Sequence, residues 1–128
     1  MEEGQIPQDA ALELFARRQA RDKLLDFVKY CMPGYQAAKH HHYMAQRLEK
    51  IASGQIKRLI LLMPPRSGKS EVASRHLPAW YIGRNPRKQV ICATYNAEFA
   101  HEFGRDVRRI VQSTEYNHLF PDVELAAD

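Results

Sequence analysis

Eight residues near the middle of the chain, Met63-Pro64-Pro65-Arg66-Ser67-Gly68-Lys69-Ser70, are of the types that phosphate chemistry uses. Against the phosphate-loop pattern G-x-x-x-x-G-K-[ST] they keep Gly68, Lys69 and Ser70, with Met63 in place of the first glycine. A glycine at 68 lets the backbone approach an anion closely. Lys69 offers a point charge that can reach β- and γ-phosphates, and Ser70 a hydroxyl ligand for Mg²⁺. Arg66 would lie within reach of a terminal phosphate, where a guanidinium can stabilise the charge that builds up during phosphoryl transfer. Its alternative is a surface ion pair with an acid such as Glu71. The binding set read from this turn is Pro65, Arg66, Ser67, Gly68, Lys69, Ser70 and Glu71, with Arg66 and Lys69 as the candidates for catalysis and Ser70 for the metal.

Such a turn works only if other elements hold it, and the pattern around it predicts them. Residues 8–31 read as a helix, with Ala11, Leu12, Phe15, Leu24, Leu25, Phe27, Val28 and Cys31 near helical spacing, ended by Pro33-Gly34. Tyr43, Met44, Leu48 and Ile51 mark a second helix, with Gly54 placed to follow its end. Residues 58–63 form an apolar run of strand length, expected to be buried on both faces as in a parallel sheet. A helix over about 70–82 follows, which Pro78 must kink or shorten, then a second strand of the same style at 89–94. Asn96 is placed to cap a last helix carrying Phe99, Phe103, Val107, Ile110 and Val111. Residues 113–128 show no clear period. The expected architecture is α/β: an incomplete P-loop NTPase, a βαβ unit with parallel strands, preceded by two helices. The division is an N-terminal helical segment at 1–39 and a partial ATPase domain at 40–128. Two strands alone rarely make a stable sheet.

Composition narrows the partner. The chain has 128 residues and a net charge of +4, which hides an uneven spread. Residues 39–88 hold eleven Lys/Arg and only Glu49 and Glu71 as acids, a charge of +9, while the remainder is −5. A concentrated basic segment suits a polyanion, either a phosphate ligand or nucleic acid, or else is a solvated surface. The strongest apolar run, residues 59–63, is far short of the ~20 residues a membrane span needs, and acids open the chain where a secretory signal would be basic. No membrane partner is expected. Cys31 and Cys92 are too few for a disulfide framework and read as buried thiols.

The stretch Arg58-Leu-Ile-Leu-Leu-Met-Pro-Pro-Arg-Ser-Gly-Lys-Ser-Glu71, followed by Pro78-Ala-Trp-Tyr-Ile-Gly83 and Gln89-Val-Ile-Cys-Ala-Thr-Tyr-Asn96, resembles the ATPase domain of the large terminase subunit of tailed bacteriophages. The resemblance runs from about His40 to about Leu125, and the Pro-Pro-Arg-x-Gly-Lys-Ser form of the loop carries it. It implies a motor that packages viral DNA into a capsid, working in the host cytoplasm. It implies that Lys69 and Ser70 hold ATP and Mg²⁺, and that Arg66 matches a loop arginine implicated in hydrolysis. Thr94-Tyr95-Asn96 falls where such motors link the nucleotide site to DNA, although Thr94 and Asn96 also suit a strand end and a helix cap. The implied partners are double-stranded DNA, the remainder of the large subunit, the small terminase subunit and the portal.

Two departures from the family pattern shape the expected activity. A glutamine that reads adenine often precedes the first strand; here His40-His41-His42 stand in that place and Gln46 lies one turn on. Three consecutive histidines on a helix point in different directions and are not expected to converge on one metal ion. Hydrolysis needs a strand ending in an acid pair, and no apolar run ending in Asp-Glu follows the loop. Asp26 falls in a helical pattern, and Asp122 and Glu124 sit around Pro121 in the tail that shows no clear period. The family's nuclease domain is also absent. The sequence therefore reads as an N-terminal fragment that binds ATP·Mg²⁺ through residues 64–70 without hydrolysing it alone. The alternative is a small basic module, not an enzyme, that contacts nucleic-acid phosphates.

Overall fold

The computed structural model describes residues 7–126. Every regular element among them is helical: α1 (Gln8–Asp22), α2 (Leu24–Cys31), α3 (Lys39–Ala52), a π-helical segment (Glu71–His76), α4 (Leu77–Arg84), α5 (Ala97–Val111) and α6 (Thr114–Leu119). The expected α/β class is overturned, because no strand and no sheet forms among the described residues.

The two apolar runs show why. Residues 59–63 border one hollow with His40, Tyr43, Met44 and Arg47 of α3, whereas residues 89–92 border another with Ile51, Ala73, Leu77 and Tyr81. No backbone hydrogen bond joins one run to the other among the described residues, and a strand without a ladder partner gains none of the hydrogen bonding that defines it. Their burial also differs from expectation. Leu59, Leu61 and Met63 pack on the core, while Ile60 and Leu62 are 82% and 89% exposed and Ile91 is 92% exposed. The first run is thus an extended segment covered on one face.

The helix expected over residues 8–31 is two helices. Lys23 is extended (φ −124°, ψ 128°), and the amide of Leu24 that opens α2 donates to Glu49 Oε1 on α3 at 3.0 Å. The other oxygen of that carboxylate lies 3.7 Å from Lys23 Nζ. A distant carboxylate therefore caps α2, and it favours the helix N-terminus by charge as well as by hydrogen bonding. The break turns α2 inward. Leu24, Leu25, Phe27 and Val28 are buried, whereas Leu12, Leu14 and Phe15 of α1 remain more than half exposed.

Pro78 shortens its helix as expected, through a specific device. In a regular helix Pro78 would owe Ser74 a hydrogen bond it cannot give, and its ring would crowd that carbonyl. The turn before it is widened instead: the Leu77 amide donates to Val72 O, five residues back, and α4 restarts with Pro78 in its first turn. Gly83, one residue past the end expected near 82, lies inside α4. A Cβ there would stand 2.5 Å from the Phe120 ring, so the missing side chain makes room for Phe120.

The core joins α2 to α3, α4 and α6 through Leu24, Phe27, Val28, Met44, Leu48, Val72, Trp80, Tyr116, Leu119 and Phe120. Two buried polar atoms inside it are satisfied: Trp80 Nε1 donates to Arg21 O at 3.1 Å, and the Tyr116 hydroxyl to Ala79 O at 2.8 Å. The region read as having no period contributes α6 to this core. Ser113 Oγ caps it by accepting from the Tyr116 amide at 3.2 Å. Gly54 (φ +79°) follows α3, and Asn96 Oδ1 accepts from the Phe99 amide at the head of α5, both as their types predict.

Candidate functional site

The Gly-Lys-Ser turn stands at the head of the helix that runs into the π-helical segment. Pro65, Arg66, Ser67, Gly68, Lys69, Ser70 and Glu71 all line one hollow of about 450 Å³, together with Met63, Pro64 and Arg75. The backbone turns there through two left-handed residues, Arg66 at φ 60° and Gly68 at φ 82°. Arg66 is the one non-glycine residue among those described with a positive φ, a conformation an L-residue holds at a cost. The first-turn amides of Gly68, Lys69 and Ser70 donate to no backbone carbonyl, as expected at a helix start. Anions bind where such donors and the positive helix end coincide.

The two cations of the turn are unspent. Neither Arg66 nor Lys69 forms an ion pair among the described residues, and Glu71 does not pair with Arg66, the alternative weighed from sequence. Glu71 instead lies 3.6 Å from Arg75 Nη1 and 3.3 Å from His76 Nδ1. Arg75 in turn reaches Asp106 on α5 at 2.7 Å, and its guanidinium stands 5.0 Å above the Phe103 ring. One further polar atom of the turn has no partner: Ser67 Oγ is buried and makes no hydrogen bond. The amides without a carbonyl partner and two cations without an ion pair line one hollow and form a set of donors suited to phosphate oxygens. For a hard cation the turn offers the Ser70 hydroxyl, the Glu71 carboxylate being turned to Arg75 and His76. That suits Mg²⁺, which takes few protein oxygens and keeps waters and phosphates as its other ligands.

The back of the turn is held by residues the sequence assigned otherwise. His41 Nδ1 accepts the Ala38 amide at 2.9 Å, so its Nε2 carries the proton and donates to Ser67 O at 2.7 Å. His40 Nε2 reaches the same oxygen at 3.1 Å, with the two rings 3.9 Å apart. The Tyr35 ring lies tilted against His41, with centroids 5.7 Å apart. Its hydroxyl is pushed above the usual phenol range by burial and then by the Glu71 charge. Two neighbouring histidines thus converge, which their spacing did not predict, and they converge on a carbonyl. His42 and Gln46 are exposed. No group of three or more His, Cys, Asp or Glu among the described residues is placed to hold a metal ion.

His76 has burial as the main cause of its depressed pKa, which keeps the imidazole neutral; its Nδ1 donates to Glu71 O at 2.8 Å and its Nε2 has no partner. Cys31 is half-buried, its thiol pushed up to about 12 chiefly by burial, so it is unreactive. Cys92, also expected to be buried, is exposed because the run that carries it has no sheet to enter. Asp122 and Glu124 border a separate hollow with Ile82, Gly104 and Val107, away from the turn. No described helix is long and apolar enough to cross a membrane.

Comparison with known families adds one finding. Residues 60–123, half of the chain, match the family described as terminase large subunit, T4likevirus-type, N-terminal. No curated protein and no solved structure matches.

Proposed function

The chain belongs to the N-terminal family of T4likevirus-type terminase large subunits, and from that premise we propose that residues 64–70 bind ATP with Mg²⁺ for a DNA-packaging motor. The observation that carries the reading is the shared hollow of Lys69, Arg66, Gly68 and Ser70, in which neither cation has a counter-ion among the described residues. Lys69 holds the terminal phosphates, the free amides cradle them, and Ser70 faces the metal. Arg66, held left-handed at the rim, supplies charge to the outermost phosphate. Mg²⁺ would neutralise the phosphates and polarise them.

Turnover needs a carboxylate free to orient water. Glu71 is the acid among the described residues that lines this hollow, and it is engaged by Arg75 and His76. Binding without hydrolysis is therefore the behaviour expected of these 128 residues. The +9 segment at residues 39–88 supports contact with double-stranded DNA in the packaging complex, alongside the rest of the large subunit, the small subunit and the portal.

Titration of ATP·Mg²⁺ against the wild type and Lys69→Ala, with phosphate release followed in parallel, tests the reading. Saturable binding that Lys69→Ala weakens at least tenfold, without turnover, is the expected result. Equal affinity of the two proteins would overturn it, and steady turnover would mean that a carboxylate outside the hollow reaches the nucleotide. A basic module lacking a nucleotide site would instead bind nucleic acid in a salt-dependent way and ignore ATP.

A further inference from the structure

We propose that His41 is a positioning residue that sets the direction of the Gly68 amide, turning the Gly-Lys-Ser loop into an anion cradle. The inference rests on the phosphate-binding reading above and gives the histidine cluster a role other than adenine recognition or metal ligation.

The argument begins with the imidazole's two nitrogens. The Ala38 amide donates to Nδ1, so in the neutral ring the proton is on Nε2. The first turn of α3 therefore fixes both the tautomer and the ring's direction. Nε2–H then donates to Ser67 O at 2.7 Å, and His40 adds a second, longer donor to the same oxygen. That carbonyl shares a planar peptide unit with the Gly68 amide, and no peptide in the described residues is cis. In a trans unit the C=O and N–H point in opposite directions. Drawing Ser67 O toward α3 thus aims the Gly68 N–H away from α3.

The fit behind the turn leaves no slack. A Cβ at Gly68 would lie 2.7 Å from His41 Nε2, and the residue's φ of 82° already disfavours any side chain. Glycine at 68 and histidine at 41 are therefore two halves of one device. Glycine allows the backbone to press against the ring, and the ring fixes which way the peptide faces. The Tyr35 ring, tilted against His41 at 5.7 Å, occupies space the imidazole would need in other rotamers. Loss of the Nε2 donor would let the Ser67–Gly68 peptide rotate and withdraw one cradle donor, with Lys69 and Arg66 untouched.

Two substitutions separate the ring's two ends. His41→Gln places an amide N–H near the Nε2 position and can keep the bond to Ser67 O. His41→Asn keeps an acceptor near Nδ1 for the Ala38 amide and stops short of Ser67. The probes are ATP·Mg²⁺ and inorganic tripolyphosphate·Mg²⁺, titrated against the full chain, with urea unfolding as the check on folding. His41→Asn should weaken both probes by the same factor, about tenfold, the scale of one lost hydrogen bond, and His41→Gln should restore most of it. Weakening of ATP alone would overturn the proposal by making His41 a base reader, and equal affinity in both variants would overturn it outright. If the wild type binds neither probe, the nucleotide reading fails, and this inference is decided by NMR. The His41 ring should show Nε2 protonated and Nδ1 bare, and the Gly68 amide resonance should move in His41→Asn and hold in His41→Gln. A wild-type ring protonated at Nδ1, or a Gly68 resonance indifferent to both variants, overturns it.

Discussion

Arg75 Nε donates to Asp106 Oδ2 at 2.7 Å, a bond that ties the π-helical turn behind the Gly-Lys-Ser loop to the middle of α5. Arg75 also reaches Glu71 at 3.6 Å and Glu102 at 3.9 Å, so a single guanidinium gathers three carboxylates. Hydrogen bonding to Asp106 is the main cause that raises its pKa. Glu71 and Arg75 border both the loop hollow and the hollow between the π-helical segment and α5, and the network forms their common wall.

Asp106 is the strongest partner in that wall, since its carboxylate also accepts from Arg109 at 3.2 Å. Asp106→Asn keeps the shape and removes the charge, and should cost up to about 3 kcal/mol, the top of the range for hydrogen bonds to charged groups. Arg75→Ala should cost more, because the stacking on Phe103 is lost with the bonds. Urea unfolding of both variants checks the order, and a more severe effect from Asp106→Asn would mean that Arg75 contributes little by packing.

Gly83 and Phe120 predict a coupled pair. The Cβ of Gly83→Ala would meet the Phe120 ring at 2.5 Å, so in the wild-type background it should destabilise by about 1–3 kcal/mol through overpacking. With Phe120→Ala also present the clash disappears, and the alanine should become neutral or slightly favourable through helix propensity. A double-mutant cycle measured by thermal unfolding reads this directly. Additive effects would mean that the ring moves aside at no cost.

How much of this was legible in the sequence depends on the range of the interaction. Asn96, Gly54 and the placing of Gly68-Lys69-Ser70 at a helix start follow from contacts within a few residues, and they are where residue type predicts them. The break at Lys23 has no glycine or proline to announce it, because the group that stabilises it, Glu49, comes from another helix. The convergence of His40 and His41 was hidden for the same reason, since the carbonyl that draws both rings together lies 26 residues from His41. Residues 58–63 have the composition of a strand, but composition cannot supply a ladder partner, and the segment packs one face against helices instead. The helix α6 does have a local signal, since Ser113 and Glu115 suit a helix start and Tyr116, Leu119 and Phe120 form an apolar face.

The Glu49 cap leads to a third prediction. Glu49→Ala leaves the Leu24 amide without its acceptor and Lys23 without its counter-charge, and should cost about 1 kcal/mol, as loss of a side-chain cap does. Glu49→Gln retains an oxygen acceptor and should cost less, by the part owed to charge at the helix end. Amide hydrogen exchange at the first turn of α2 should quicken in Glu49→Ala and stay near the wild-type rate in Glu49→Gln. Equal exchange in all three proteins would show that α2 needs no cap from α3.

His76 predicts the direction of the pH dependence of folding. It is 1% exposed, burial is the chief cause that lowers its pKa below the ordinary 6.5, and its Nε2 has no partner to welcome a proton. The groups facing it are the Glu71 carboxylate at 3.3 Å, which favours protonation, the Arg75 charge, which opposes it, and the neutral Phe27 ring at 6.0 Å. Because the folded-state pKa is depressed, the unfolded chain binds this proton more readily, and stability rises with pH through that window. The contribution is complete above about pH 6.5 and is lost as pH falls through the folded value. Unfolding free energies measured by urea from pH 7.5 down to pH 5 should therefore decline, and His76→Gln, which carries no titrating group, should decline less steeply. A wild-type protein as stable at pH 5 as at pH 7.5, or a His76→Gln slope equal to the wild type's, would show that burial does not hold this imidazole neutral.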